Sequence, residues 1–383
     1  MKVSTLFVLL GTVSLFLTLK SCYPEKLQEP EKVTISTQVQ NRDVSDPATM
    51  AKLAEIDFNK IQMENGMLKF DSRATMLETI SKLREANHLW RQFYNQTMEG
   101  LDEETANQMA INESYPYDWF QQQTGYYSLW KSLEEQRNEW LAQSGEELDF
   151  SNYPNHHIKD NPVKSIVSVD GEVMVGNSIF KEYPYGLNVE IPGSDFNLLY
   201  QLREIAELPD VFAFATQNQL PLLGDWDNLG ALMVEDICIR HQEMTCRWSP
   251  SDNKLRLRAE IGVWNSAFFA VRKVWAENDT YRKRLGIWWT HRTNQFAGLT
   301  GNIWKTDRGN LKYENCEQPY SLSWSNNCNN CARLEAEYHE DLSLSDLYVS
   351  NKLQLVMIGT HKAFGLDKNT CLPEGNCSPS DCN

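Results

Sequence analysis

The sequence predicts an α+β protein: an amino-terminal helical hairpin region followed by a larger, antiparallel β-rich, disulfide-bonded region. Three observations predict it. Apolar residues recur at helical spacing between residues 50 and 143, period-two alternation takes over after Pro154, and eight of the nine cysteines lie beyond residue 237. At 383 residues, with 41% hydrophobic and 11% aromatic side chains, the chain has enough apolar surface for a sizeable core and exceeds the usual single domain. The organisation expected is 1–21 signal peptide, 22–49 tether, 50–160 helical region and 161–383 β-rich, cysteine-containing region.

Within the helical region, Met76, Ile80, Leu83, Trp90, Phe93 and Thr97 follow a 3.6-residue period. Asp71 or Ser72 can cap that helix by accepting an orphan backbone N–H. A second stripe runs Tyr126, Trp130, Leu133, Arg137 and Trp140. Between the two, Asn112 to Gln123 holds Pro116 and many polar residues and reads as a loop, so the helices are expected to pack face to face.

In the β-rich region, Gly176-Asn177 joins two alternating segments as a tight hairpin, and Asp170-Gly171 is a second turn. Ser194 to Glu207 reads as one helix, stopped by Pro209. Leu255, Leu257, Ala259, Ile261 and Val263 alternate with Lys254, Arg256, Arg258, Glu260 and Gly262, the pattern of a half-buried strand. Phe268 to Trp275, Leu285 to Thr290, Leu342 to Val349 and Leu353 to Ile358 continue the strand pattern.

The first residues carry an export signal. Lys2 precedes an apolar run from Thr5 to Leu19, long enough for a signal peptide and short for a membrane span. The run ends in Leu19-Lys20-Ser21-Cys22, which resembles the lipobox of bacterial lipoproteins; Lys20 departs from the strict pattern and fits the looser Bacteroidetes-type one. Cys22 is therefore the expected lipidation site, with membrane lipid as its partner. Setting Cys22 aside leaves Cys238, Cys246, Cys316, Cys328, Cys331, Cys371, Cys377 and Cys382, an even set that in an exported chain reads as a disulfide framework. Closeness in sequence suggests Cys238 with Cys246, and the Cys371, Cys377, Cys382 tail with Cys316, Cys328 or Cys331. Tyr23 to Pro47, rich in Glu, Gln, Thr and Pro, reads as an extended tether. Localisation at the outer membrane follows, facing the periplasm or the surface.

Three segments in order, Gly66-Met67-Leu68-Lys69-Phe70, Gly171 to Lys181 and Arg284-Leu285-Gly286-Ile287-Trp288-Trp289, are similar to those of Bacteroidetes-type lipoproteins. The resemblance implies lipoprotein status and the order tether, helical region, β-rich region. It implies no activity, because that group has none assigned.

Charge and motifs exclude several functions. The formal charge is −16, and residues 1–21 carry two lysines and no acid, so their removal makes the remainder more negative still. Such a field repels nucleic acid and anionic headgroups. Asp225-Trp226-Asp227-Asn228-Leu229-Gly230 with Asp236 imitates a calcium loop, but Leu229 offers no ligand oxygen at the fifth position. Cys328-Asn329-Asn330-Cys331 has redox or zinc spacing, with only Cys316 and His339 as further ligands. His156-His157 are adjacent; His241 with Asp236 and Glu243, or His339 with Glu340 and Asp341, lack a nucleophile on a strained turn. No metal, cofactor or catalytic chemistry is expected. The function that follows is a lipid-anchored envelope protein, structural or ligand-binding. The alternative is a carbohydrate-binding or glycan-processing surface component using exposed tryptophans, of which Trp288 and Trp289 are the candidate contacts, with a glycan or surface protein as ligand.

Overall fold

The computed structural model describes residues 46–101, 115–145, 147–223, 242–249, 254–266, 268–305, 320–341 and 353–372. The signal peptide, Cys22, nearly all of the tether, Asp225 to Asp236, Cys238, His241, Cys316, Leu342 to Val349, Cys377 and Cys382 lie outside the described residues. The described chain opens on α1 (Pro47–Ala54), where the Asp46 carboxylate accepts the N–H groups of Ala48 and Thr49. A short hairpin follows, β1 (Ile61–Glu64) and β2 (Met67–Phe70), turning at Asn65 and Gly66, both at positive φ. The expected unbroken helical stretch from Met50 is thus interrupted, because an Asn-Gly pair suits the tight turn between two strands.

Helix α2 (Arg73–Met98) begins where Ser72 Oγ accepts the N–H of Thr75. Its buried stripe is Met76, Ile80, Leu83, Trp90, Tyr94 and Met98. The last two replace the expected Phe93 and Thr97, since a 3.6-residue period carried from Met76 lands on them. The expected loop before the next helix is instead α3 (Pro116–Thr124), with Pro116 in the first turn, where its fixed φ fits and its missing N–H costs nothing. Helix α4 (Leu129–Gln143) is capped by Ser128. The face-to-face pairing of α2 with α4 does not form. Tyr115, at the head of α3, is wedged between them, its ring 4.7 Å from Trp90 and 5.6 Å from Trp130. Helix α2 packs chiefly on α1, α3 and the short α5 (Asn161–Ile166).

Next come β3 (Glu172–Val175), β4 (Ser178–Tyr183), β5 (Leu187–Ile191), α6 (Phe196–Arg203), α7 (Leu208–Gln217) and β6 (Leu222–Leu223). The turn at Gly176-Asn177 stands as read, with Val175 opposite Ser178. Pro209 does not stop the preceding helix; it lies in the first turn of the following one. Strands β1 to β6 form one sheet in sequence order, antiparallel except where β2 meets β3.

The remaining strands are β7 (Gln242–Trp248), β8 (Leu255–Ser266), β9 (Val271–Arg284), β10 (Ile287–Thr290), β11 (Thr293–Lys305), β12 (Tyr320–Cys331), β13 (Arg333–Asp341), β14 (Leu353–Ala363) and β15 (Leu366–Leu372). They make two sheets. In the second sheet β9 is central, with β8 and then β7 on one side and β10 and β13 on the other; in the third the order is β12-β11-β14-β15. Both faces of the second sheet are covered. Leu257, Ala259 and Ile261 are fully buried on one side, while Arg258 (3% exposed) and Glu260 (4%) are buried on the other. The half-buried strand expected at 254–263 is therefore buried twice over.

One apolar cluster runs from Leu53 and Leu83 through Val173 to Trp264, Trp275 and Leu334, so helices and second sheet share a core. Among the candidate bridging cysteines, Cys246 is disulfide-bonded, whereas Cys328 and Cys331 are buried thiols. Those two sit three apart on β12, across a register shift against Thr293 and Gln295.

Candidate functional site between the helices and the second sheet

Strand register fixes a ladder of charge. On the face of β8, β9 and β13 opposite Ile261, the first row is Arg258, Asp279 and Arg333; the next is Glu260, Glu277 and Glu335. Two further rows follow, Gly262, Trp275 and Glu337, then Trp264, Lys273 and His339. Alternation puts residues two apart on one face, so these side chains share a surface. The loop before α5 and the helices supply the counter-charges. Arg91 of α2 reaches Glu335 at 3.2 Å and Glu337 at 3.1 Å, and Lys273 reaches the same pair at 2.5 and 3.2 Å. Arg258 binds Asp279 at 3.1 Å and also Glu260; Arg333 binds Asp279 at 2.8 Å. Asp160, which caps α5 through the N–H of Val163, meets Arg84 and His339, each at 3.5 Å.

Equally buried, neighbouring carboxyls are set apart by the charges around them. Burial and the adjacent Asp279 and Glu335 raise the Glu277 carboxyl well above the usual glutamate range, more than Arg258 can offset. Across the strand, Glu260 is equally buried, yet Arg258, Lys159 and Lys164 hold it down to about 2. Lys164 is pressed to about 8 by burial, then by Lys273 and Lys159. One carboxyl thus keeps its proton in a setting where its neighbour stays charged.

Two cavities open on this face. The smaller, about 50 Å³, lies between Trp130, Tyr153, His156, Lys164, Glu260 and Glu277. The larger, about 430 Å³, is lined by Trp90, Tyr94, Tyr115, Tyr281 and Arg292, with Cys328 and Cys331 on its wall. They share Glu134, Arg137, Arg333 and Glu335 as common walls. In the larger one, Trp90 and Tyr94 stack at 5.2 Å, and the Arg292 guanidinium lies 5.5 Å over the Tyr94 ring. Burial lowers Arg292 to about 10, against the nearby thiols of Cys331 and Cys328. Burial also raises Tyr281, so its phenol keeps its proton, and that hydroxyl has no hydrogen-bond partner among the described residues. A buried, unsatisfied O–H beside a cavity is a ready donor to a ligand.

No family model matches the sequence, and no curated protein matches it. The structure is similar to that of a DUF4848 family protein from Bacteroides thetaiotaomicron, over 82% of this chain and 100% of that one, with 10% identity and a TM-score of 0.21. A likeness of that depth carries no argument about fold or function.

The residues singled out from sequence fall elsewhere. Trp288 is 1% exposed, donates its indole N–H to the Gly145 carbonyl at 3.2 Å and is covered by Arg256 and Lys283. It is a core side chain, because β10 turns that face onto α4. Trp289 points the other way and is 56% exposed, and neither lines the two cavities. His339 lies against the carboxyls of Asp160 (3.5 Å) and Glu337 (3.1 Å). His156 and His157 occupy a loop with their rings 4.0 Å apart. Among the described residues no group of three or more His, Cys, Asp or Glu is arranged to hold a metal. The ladder itself escapes sequence reasoning, though a signal exists: β8 and β13 alternate apolar residues with charges of both signs, as partners buried against one another require.

Proposed function

We propose that the chain is a lipid-anchored envelope protein that binds a small, polar, acid-bearing saccharide in the cleft between α2, α4, β9 and β12. The observation that carries this reading is the 430 Å³ cleft, with its stacked Trp90 and Tyr94, its Arg292 guanidinium and the Tyr281 hydroxyl. That volume lies in the range of small-molecule sites. Aromatic faces suit the C–H faces of a sugar, and a guanidinium suits a carboxylate. The glycan reading therefore draws its support from the cleft, in place of Trp288. Glycan processing draws little: Glu260 and Glu277 face each other as a carboxyl pair, but the roughly 50 Å³ beside them has room for a few waters.

Titration calorimetry against neutral monosaccharides and the corresponding uronic acids tests the reading. Uronic acids are expected to bind, and both Arg292→Ala and Tyr281→Phe to weaken them with the fold intact. No heat from any acid, or equal affinity in both variants, overturns it. The anchor has a separate test. Intact mass of the membrane-extracted protein is expected to show a chain starting at Cys22 with acyl additions, and Cys22→Ala to release it.

A further inference from the structure

The β9–β10 hairpin departs from the rest of the surface in two independent ways. Its two-residue turn is Leu285-Gly286, with φ of +51° and +84°. A turn with both residues at positive φ favours Asn or Asp followed by Gly, and leucine there is strained. That strain is not offset by packing, since Leu285 is 103% exposed. The β14–β15 turn provides the contrast: Phe364, also at positive φ, packs against the cluster holding Trp248 and Leu257. Beside Leu285, Ile287 and Trp289 are exposed on one face of β10, and their cross-strand partners are Arg284 and Arg282. The second departure is electrical. From Thr280 to Thr306 the chain carries Arg282, Lys283, Arg284, Arg292 and Lys305 and no acid, within a molecule of formal charge −16.

We propose that this hairpin tip docks on an anionic lipid bilayer, with Leu285, Ile287 and Trp289 entering the headgroup boundary and Arg282 and Arg284 meeting phosphates. An exposed leucine, isoleucine and tryptophan flanked by arginines is the composition that partitions into that boundary. Beyond about 8 Å the field of the acidic remainder is screened at physiological ionic strength. The arginines favour an anionic partner, and the three exposed apolar side chains favour a deformable lipid layer over a rigid acidic protein surface.

Hydrogen exchange of the full chain carrying Cys22→Ala tests the contact separately from any acyl anchor. Exchange is followed at residues 282–289 with vesicles of phosphatidylcholine, pure or mixed with an equal part of phosphatidylglycerol. About tenfold slowing is expected with the mixed vesicles alone. Leu285→Asn, which suits the positive φ, is expected to keep or raise the melting temperature while abolishing the slowing. No slowing on mixed vesicles, equal slowing on uncharged ones, or slowing that survives Leu285→Asn overturns the proposal.

Discussion

Arg258 is a buried junction of the charge ladder: it binds Asp279 and Glu260 and lies 4.1 Å over the ring of Tyr153. Removing it takes from Glu260 its nearest cation and leaves Asp279 with Arg333 alone, the costly direction of breaking a buried ion network. Arg258→Ala is expected to cost about 3–5 kcal/mol in a urea titration. His361 predicts a pH dependence. It is fully buried between Asn278 Oδ1 (2.6 Å) and Thr370 Oγ1 (2.8 Å), and burial lowers its imidazole from 6.5 to about 3. The folded state therefore refuses a proton that the unfolded chain accepts. Stability from this group is complete above pH 6.5 and is lost as pH falls toward 3, by about 2 kcal/mol at pH 5. Between pH 7.5 and 5, His361→Gln is expected to lose that much less than the parent.

Among the elements, Ser72 starts α2 by accepting the Thr75 N–H, and Thr75 Oγ1 in turn donates to Asp71 at 2.5 Å. Ser72→Ala is expected to destabilise the fold by about 1 kcal/mol, seen as a lower urea midpoint with an unchanged slope. This cap was legible in the sequence, as were the Gly176-Asn177 turn and the first four positions of the α2 stripe, because each depends on neighbours within a turn or two. What was not legible depended on distant partners. Pro116 and Pro209 read as breakers, yet each enters a helix at its first turn, a distinction that only the following residues' packing decides. Arg258 and Glu260 read as a solvent face because nothing local announces that α2, α4 and α5 cover it. The candidate site was missed for the same reason: Trp90 and Tyr94 of α2, Tyr281 of β9 and Arg292 before β11 are brought together only by the packing of helix on sheet. The tryptophans misled in a simpler way, since adjacency fixes that Trp288 and Trp289 face apart but not which faces outward.

At the scale of the molecule, the shared core means that helices and second sheet stabilise one another. Trp264, Phe268 and Trp275 pack in the same cluster as Met76, Ile80 and Trp130. Calorimetry of the described fold is expected to give one transition, with calorimetric and van't Hoff enthalpies equal; two resolved peaks would show that the layers melt separately.

The row of three glutamates makes that melting visible to a pH electrode. Glu277 holds a proton that an ordinary glutamate has already given up, and the donation awaits only water. Above the ordinary glutamate range and below its own raised folded value, this carboxyl gives up its proton when the chain unfolds. The proton count of unfolding, read in a weakly buffered sample, is expected to show less release or more uptake in Glu277→Gln than in the parent.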